Sequence, residues 1–517
     1  MRPDLPSSHY HSSVIKTLAL GAASLLLLNG CSTLNVDTAK LSQQEVRATV
    51  EEGKAAQARE VEPLAGPLTL DGAIARAIKY NAERRYKAME EAVAMGTFEV
   101  GQFDMLPKLI ASAGYRDRNN DLITRSIDSV TGLPSLANPY ISSSRQAFSS
   151  AVDISWSLLD FGQSYYAARQ NADRVLIAGE RRRKALHNLI LDVRTAYWRV
   201  VAAQKLVPLL RSTIAESESA LKDARTAESD RIRSPLEPLR YQRQLLENLR
   251  LLETIEQELS TARVELATLC ALPLSSDYTV VEAASDVNTV WLNQPMDKME
   301  EVALMRNPDL RESIYNARIA QQETRRAMLK LFPGLSFNYG VKHSNDDFLI
   351  HQTWNEAGAQ ISFNLLGLLS APAQMRLADA GVALANQRRM ALQMAVLSQV
   401  HIARQQYANT ARQYERADAI AEVDGRIAQH VANQADAQKQ SALDRISQQS
   451  TAVLSQLRRY QALSNAQAAA SRLQATLGME PVISGSSNMP LAELTAAVAQ
   501  SLQTWNQGQL PSLEDSP

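Results

Sequence analysis

Few residues of this 517-residue chain are spaced for bond-making chemistry, and the clearest of them is Cys31. Arg2, His9, His11 and Lys16 precede an apolar run, Thr17 to Leu28, that is too short to span a bilayer comfortably. The run ends Leu28-Asn29-Gly30-Cys31-Ser32. A leucine, a small residue and a cysteine at these offsets match a lipobox, where a signal peptidase cuts before the cysteine and the thiol is acylated by a lipid such as palmitate. A plain cleaved signal or an uncleaved anchor is the simpler alternative. Ser32, with no aspartate after the cysteine, fits the pattern of lipoproteins sent to the outer membrane of a Gram-negative cell.

The remaining candidates argue against catalysis. Cys270 lies far from Cys31 in an apolar helix end and reads as a packed thiol, so no disulfide framework is expected. The seven histidines show no paired metal-ligand spacing. There is no phosphate-binding glycine loop and no activated serine or cysteine motif. The expectation is therefore no catalytic residue, no metal and no cofactor apart from the lipid on Cys31. A net charge of -1 provides no basic field for nucleic acid.

The elements that carry these residues are long helices interrupted by strands. Aromatics make up only 5% of the chain, while Ala, Leu, Gln, Arg and Glu crowd segments almost free of Gly and Pro, as in long helices or coiled coils. Between Ala151 and Ser164 the pattern changes: Val152, Ile154, Trp156 and Leu158 alternate with Asp153, Ser155 and Ser157. One face of that strand is apolar and the other wet. Asp160, Phe161 and Gly162 stop the alternation and read as the hinge of a strand–helix junction. A heptad-like seam follows, with Leu186, Ile190, Val193, Tyr197 and Val200, and the helix extends to about Ser229. Pro208 predicts a kink in it or a cost of about 3 kcal/mol. A return helix starts at Ser234-Pro235-Leu236-Glu237 and continues the seam to Leu269.

The same programme then runs a second time. NAERRYKAMEEA from Asn81 is matched by NPDLRESIYNA from Asn307, and Leu106-Pro107 by Phe332-Pro333, both pairs being 226 residues apart. ISWSLL at Ile154 is matched by ISFNLL at Ile361, and ATLCALP from Ala267 by ATLGMEP from Ala475. Four alternating strands are expected, over about residues 107–117, 148–159, 333–343 and 356–366. Strands of about nine to eleven residues with a continuous apolar face suit an outer-membrane barrel. Four cannot close one, and an open edge in lipid leaves backbone groups unpaired at several kcal/mol each, so several copies must share a barrel. The strand residues on the wet face read as neutral and polar. Tyr115, Trp156, Tyr339 and Trp354 are candidate interface anchors.

LTLDGAIARAIKYN from Leu68, the junctions LPKL and FPGL, SLLDFGQ from Ser157 and the duplicated layout resemble the TolC family of outer-membrane efflux proteins, particularly its lipid-anchored members, over roughly Leu68 to Pro481. The resemblance implies a mainly α fold with membrane β. In it, duplicated long-helix hairpins form a periplasmic α-barrel, and two β-hairpins contribute four strands to a shared twelve-stranded trimeric barrel. It further implies a passive exit duct working with a periplasmic adaptor and an inner-membrane pump. The family's second-repeat turn resembles G-x-x-S-x-L-D-x-L-D, whose acidic positions ring a constriction. Ser441-Ala442-Leu443-Asp444 keeps its Ser, Leu and first Asp, while Gln438 and Ser447 replace the glycine and the second Asp; Arg231 and Arg233 flank the first-repeat turn. A ring of carboxylates in a narrow pore repels itself and attracts cations, which makes Asp444, and secondarily Glu237, the candidate periplasmic gate. Ser-x-x-Asp and Ser-x-x-Glu are equally capping boxes at a helix start.

The expected organisation is a signal peptide (1–30), a lipidated tether (31–66), a first repeat (67–273), a connecting segment (274–294), a second repeat (295–481) and a tail (482–517) with one short helix and no assigned role. Two other readings use the same features: the outer-membrane channel of a type I protein secretion system, and a periplasmic coiled-coil scaffold lipoprotein whose hairpins never enter the bilayer.

Overall fold

The computed structural model describes residues 40–134, 139–229, 236–275, 277–282, 287–437, 441–479, 483, 485 and 488–510, apart from the side chains of 57, 58, 227–229, 237 and 238. Cys31 lies outside the described residues. The chain divides into residues 1–62 and 63–517. In the first unit, helix α1 (Gln43–Glu60) opens with a capping box: the Glu45 amide donates to Ser42 Oγ at 3.2 Å, and the Ser42 amide to Glu45 Oε2 at 2.8 Å.

The second unit begins with α2 (Leu70–Tyr80) and α3 (Ala82–Phe103), followed by strand β1 (Lys108–Asp117), a small ladder of β2 (Ile123–Thr124) with β3 (Tyr140–Ile141), and β4 (Gln146–Ser157). β4 passes directly into α4 (Leu158–Ser229), and α5 (Leu236–Ser260) and α6 (Ala262–Leu269) return. The second round is α7 (Met296–Arg306), α8 (Pro308–Leu329), β5 (Gly334–Ser344), β6 (Thr353–Ser362), α9 (Gly367–Asp436) and α10 (Ala442–Thr476), with α11 (Leu491–Asn506) last. At 1.5 Å per residue, the 72 residues of α4 and the 70 of α9 each reach on the order of 100 Å. Pro208 lies inside α4 without ending it, between the buried Leu206 and Leu210. The return helix differs from the sequence expectation: it is interrupted at Thr261.

Neighbouring elements keep one order from strands to helices. The sheet runs β1-β4-β5-β6, all antiparallel, and the attached helices pack in the same sequence, α3 on α4, α4 on α8 and α8 on α9. Further along, the long helices exchange these partners for α5 and α10, giving contacts of α4 with α5, α4 with α10 and α9 with α10.

Equivalent asparagines anchor the two repeats. Asn81 and Asn307 each end one helix and cap the next: Asn81 Oδ1 accepts from the Arg84 amide at 3.1 Å, and Asn307 Oδ1 from the amides of Asp309 at 3.0 Å and Leu310 at 3.2 Å. Their Nδ2 groups donate to the ends of the return helices, Leu269 O at 3.3 Å and Thr476 O at 3.0 Å. One side chain thus satisfies both a helix start and a helix end. Because Asn307 is 4% exposed, Asn307→Ala is expected to cost about 2 kcal/mol, a lost cap plus an unpaired buried carbonyl, read as a lowered unfolding midpoint by circular dichroism.

The main core lies where these anchors sit. Tyr197 on α4 is fully buried, and its hydroxyl lies between two backbone carbonyls that share its single proton, Leu68 O at 3.1 Å and Val281 O, clasping the Leu68–Val280 bridge. Burial raises the Tyr197 pKa, so the hydroxyl stays protonated. Arg194, one turn earlier, is 5% exposed; it donates to Ser471 Oγ on α10 at 2.7 Å, and burial lowers its pKa to about 10. The short helix expected in the tail is α11, and it packs against the rest of the unit. Leu494 and Val498 of α11 are fully buried against the main core, and Trp505 stacks on Trp291 of the connecting segment with ring centroids 4.0 Å apart.

Candidate functional site

The four-stranded sheet has two chemically distinct faces. Cross-strand pairing aligns Leu109 with Ile154, Ile154 with Tyr339 and Tyr339 with Ala357; one step along, Ala111, Val152 and Val341 share the row. Toward the helices the same face ends in Trp156, Phe337 and Ala359, with Leu335 beside Ile361. This face is apolar from the helices to mid-strand and open to its surroundings, Leu109 being 71% and Ile361 73% exposed; farther out it carries Asn355, Ser150, His343 and Thr353 before Phe148 and Tyr115. The reverse face carries Ser112, Ser149, Ser155, Ser336, Asn338 and Gln360. It also carries Asp153, Lys342 and Glu356, which corrects the expectation of a neutral face. Lys342 Nζ reaches Glu356 Oε2 at 2.8 Å, and the Asp153 carboxylate lies over Gly340, where a side chain would collide with it. Trp354 pairs with Lys342 and belongs to this polar face, unlike Tyr115, Trp156 and Tyr339.

Both edges of the sheet, β1 and β6, lack a partner strand among the described residues. The helices continue these edges with apolar stripes. On α3, Tyr86, Val93 and Val100 recur every seven residues and are exposed; on α9, Leu377 and Leu384 do the same. Strand edge and helix stripe therefore coincide at each end of the row. No helix among the described residues is long and apolar enough to cross a membrane, a statement about helices alone.

The strand–helix junction sits upstream of where the sequence places it. β4 ends at Ser157, whose Oγ accepts from the Asp160 amide at 3.2 Å, and Asp160, Phe161 and Gly162 are already in the first turns of α4. Phe161 folds back edge-on against Trp156, with centroids 5.7 Å apart. Gly162 provides closeness to a neighbour: a Cβ there would stand 3.0 Å from Leu329 Cδ1 at the end of α8. In the second copy, β6 stops at Ser362, four residues before α9, and Asn364 Oδ1 accepts from the Gly367 amide at 2.9 Å.

At the far end of the long helices, the candidate gate residue has the geometry of a cap. Ser441 Oγ accepts from the Asp444 amide at 3.1 Å, and its hydroxyl donates to Asp444 Oδ2 at 2.7 Å. The next residue, which the sequence reading passed over, makes longer-range ties. Arg445 pairs with Glu216 on α4 and Asp436 on α9, each at 3.2 Å, so one side chain joins three helices near the turn. Glu237 falls in the first turn of α5 with its side chain outside the described residues, as are Arg231, Arg233 and Gln438.

Cys270 caps α6, is fully buried, and its thiol donates to Ala73 O at 3.4 Å. Burial pushes its pKa up to about 12, so no thiolate is present at neutral pH. It is expected to resist maleimide in the folded protein and to react fully in denaturant, which mass spectrometry distinguishes. Among the described residues no group of three potential ligands is placed to hold a metal ion.

No protein-family description matches the chain, and no curated protein matches it. Solved structures do share its fold. A membrane protein from Pseudomonas aeruginosa superposes with a TM-score of 0.61 at 16% identity, covering 82% of this chain and 92% of its own. The Campylobacter jejuni CmeC outer membrane channel gives 0.61 at 12% identity, covering 84% and 89%. The open state of the Neisseria gonorrhoeae MtrE outer membrane channel gives 0.59 at 16% identity, covering 80% and 89%. The chain is thus mainly helical, with the fold of outer-membrane channels.

Proposed function

We propose that this chain, built on the outer-membrane-channel fold, is a TolC-type protein forming the exit duct of a tripartite efflux system. Three copies assemble into a passive pore, held to the outer membrane by a lipid on Cys31 as well as by the barrel, and work with a periplasmic adaptor and an inner-membrane pump. The observation that carries this reading is the four-stranded sheet: one face apolar from the helices to mid-strand, the other charged and polar, both edges without a partner strand among the described residues, and the whole continuous with very long helices. Lipid accepts such a sheet only when its edges are closed. Joining β6 of one copy to β1 of the next closes them in an antiparallel ring and brings the α9 stripe of one copy beside the α3 stripe of its neighbour.

Transport by such a duct is controlled where the helices converge. There Asp444 faces its symmetry mates as a ring of carboxylates, and Arg445 holds α10 against α4 and α9. Ion pairs this exposed contribute about 0.2–1 kcal/mol each, weak enough to break and remake during opening. The test is conductance across a planar bilayer. The full-length protein is expected to form a discrete pore whose conductance rises several-fold in Arg445→Ala and whose cation preference falls in Asp444→Arg. A purified protein that inserts without a defined pore would sink the duct. A pore indifferent to Asp444→Arg would leave Asp444 as a helix cap alone, with a stability loss of about 1 kcal/mol.

A further inference from the structure

We propose that the groove between α7 and α9 is the seat of a second copy of this chain, which lays the exposed face of its return helices, α5 and α6, along α9 with Val264 in the groove. The groove measures about 500 Å³ and is lined by Glu300 on α7 and by Met394, Leu397, Ser398, His401 and Ile402 on α9. Met394, Leu397 and Ile402 supply apolar wall, and His401 Nε2 lies 2.8 Å from Glu300 Oε1.

The duplication of the chain identifies the occupant. The long helices and their returns repeat at a spacing of 207 residues: Ile361 corresponds to Ile154 (361 − 154), and Gly478 to Ala271 (478 − 271), the positive-φ residues just after the two return helices. In the first repeat, α4 is covered by the return helices of both repeats, α5, α6 and α10; its counterpart α9 packs on α10, the return of its own repeat. The difference shows residue by residue. His187, Arg194 and Thr213 of α4 are buried, whereas their equivalents Met394, His401 and Ile420 of α9 are exposed. The return helices show the opposite contrast. Ile446, Val453 and Ser471 of α10 are buried, and their equivalents Leu239, Leu246 and Val264 of α5 and α6 are nearly half exposed. Each chain therefore has one α9 lacking the cover that α10 gives α4, and one α5–α6 face lacking a long helix to cover. The first fits the second because α4 and α10 already make this contact within the chain, and they also set its register. Arg194 donates to Ser471 Oγ at 2.7 Å. Moving each residue to its equivalent (194 + 207 = 401 and 471 − 207 = 264) places His401 against the next copy's Val264. One seat and one insert per copy make a head-to-tail contact, which closes as a ring. It follows from the duplicated helices alone and holds whether or not the sheet enters lipid.

Cross-linking of the full-length protein tests the seat. His401 and Val264 are both exposed, so His401→Cys and Val264→Cys leave the core untouched. With both substitutions in one chain, a short bismaleimide is expected to move most of the protein to multiples of the single-chain mass in denaturing electrophoresis. Either substitution alone is expected to leave it at the mass of one chain. Replacing Val264→Cys by Arg250→Cys moves the thiol 264 − 250 = 14 residues, about 20 Å, back along the return helices and is expected to abolish the product. The proposal is overturned if the His401–Val264 pair gives no product above one chain, or if the Arg250 pair reacts as well. A product from His401→Cys alone would place two α9 helices together and overturns it equally. Conductance of the same preparation separates this from the transport reading. A discrete pore without the cross-link leaves the duct and removes the seat; the cross-link without a pore does the reverse.

Discussion

Val152→Arg is expected to remove the assembled protein from the outer membrane, while Ser149→Arg, on the same strand, leaves assembly unchanged. Val152 lies mid-strand on the apolar face, in one row with Ala111 and Val341; Ser149 pairs with Gly114 and Ser344 on the reverse face. An arginine facing lipid near the midplane of a barrel costs about 2–4 kcal/mol, and in a shared barrel every copy carries that cost. An arginine on the reverse face projects into water beside Ser and Gly, where the cost is within about 0.5 kcal/mol. Membrane fractionation followed by native electrophoresis reads both results. Equal loss in the two variants would mean that the sheet does not stand with one face in lipid; equal tolerance would place it outside the bilayer.

The contrast between those two residues was visible in the sequence because a strand's faces alternate locally, and Val152 to Ser157 display both. What the alternation hides is register. Asp153 and Glu356 are 203 residues apart, and only pairing through Gly340 shows them in one row, flanked by Lys342. The end of β6 was hidden for a related reason. Phe363 and Leu365 continue the alternating pattern, yet the ladder stops at Ser362 opposite Gly334, because a hydrophobic period carries no information on where hydrogen bonds cease. The hinge assigned to Asp160-Phe161-Gly162 shifted because a glycine after a strand reads as a break, whereas Gly162 serves close helix packing against Leu329, far away in sequence. At the opposite end, Ser441 and Asp444 were legible as a capping box, since its spacing is fixed by one helical turn. Arg445, beside them, was not, because its partner Glu216 belongs to the other repeat.

The tail is the extreme case of a long-range contact, and Trp505→Ala is the substitution expected to expose it. Trp505 is 5% exposed and stacks on Trp291, which is itself 1% exposed; the Trp291 indole donates to Trp505 O at 2.8 Å. Nearby, Gln294 Nε2 donates to Gly508 O at 2.9 Å, and Gly508 holds a positive φ against Val290, where a side chain would collide. The segment after α11 therefore closes over the connection between the repeats. Truncating a buried tryptophan costs about 3–5 kcal/mol, more than a cap or a surface ion pair supplies. The backbone acceptor for Trp291 survives the substitution, so the loss reads packing alone. Trp505→Ala is expected to lower the unfolding midpoint of the helical signal by several degrees, and Trp505→Phe by a fraction of that, since a phenyl ring retains part of the stack. Should both variants unfold with the wild type, the end of the chain would be an appendage. Loss in proportion to the area removed would make it the piece that fastens the two repeats together.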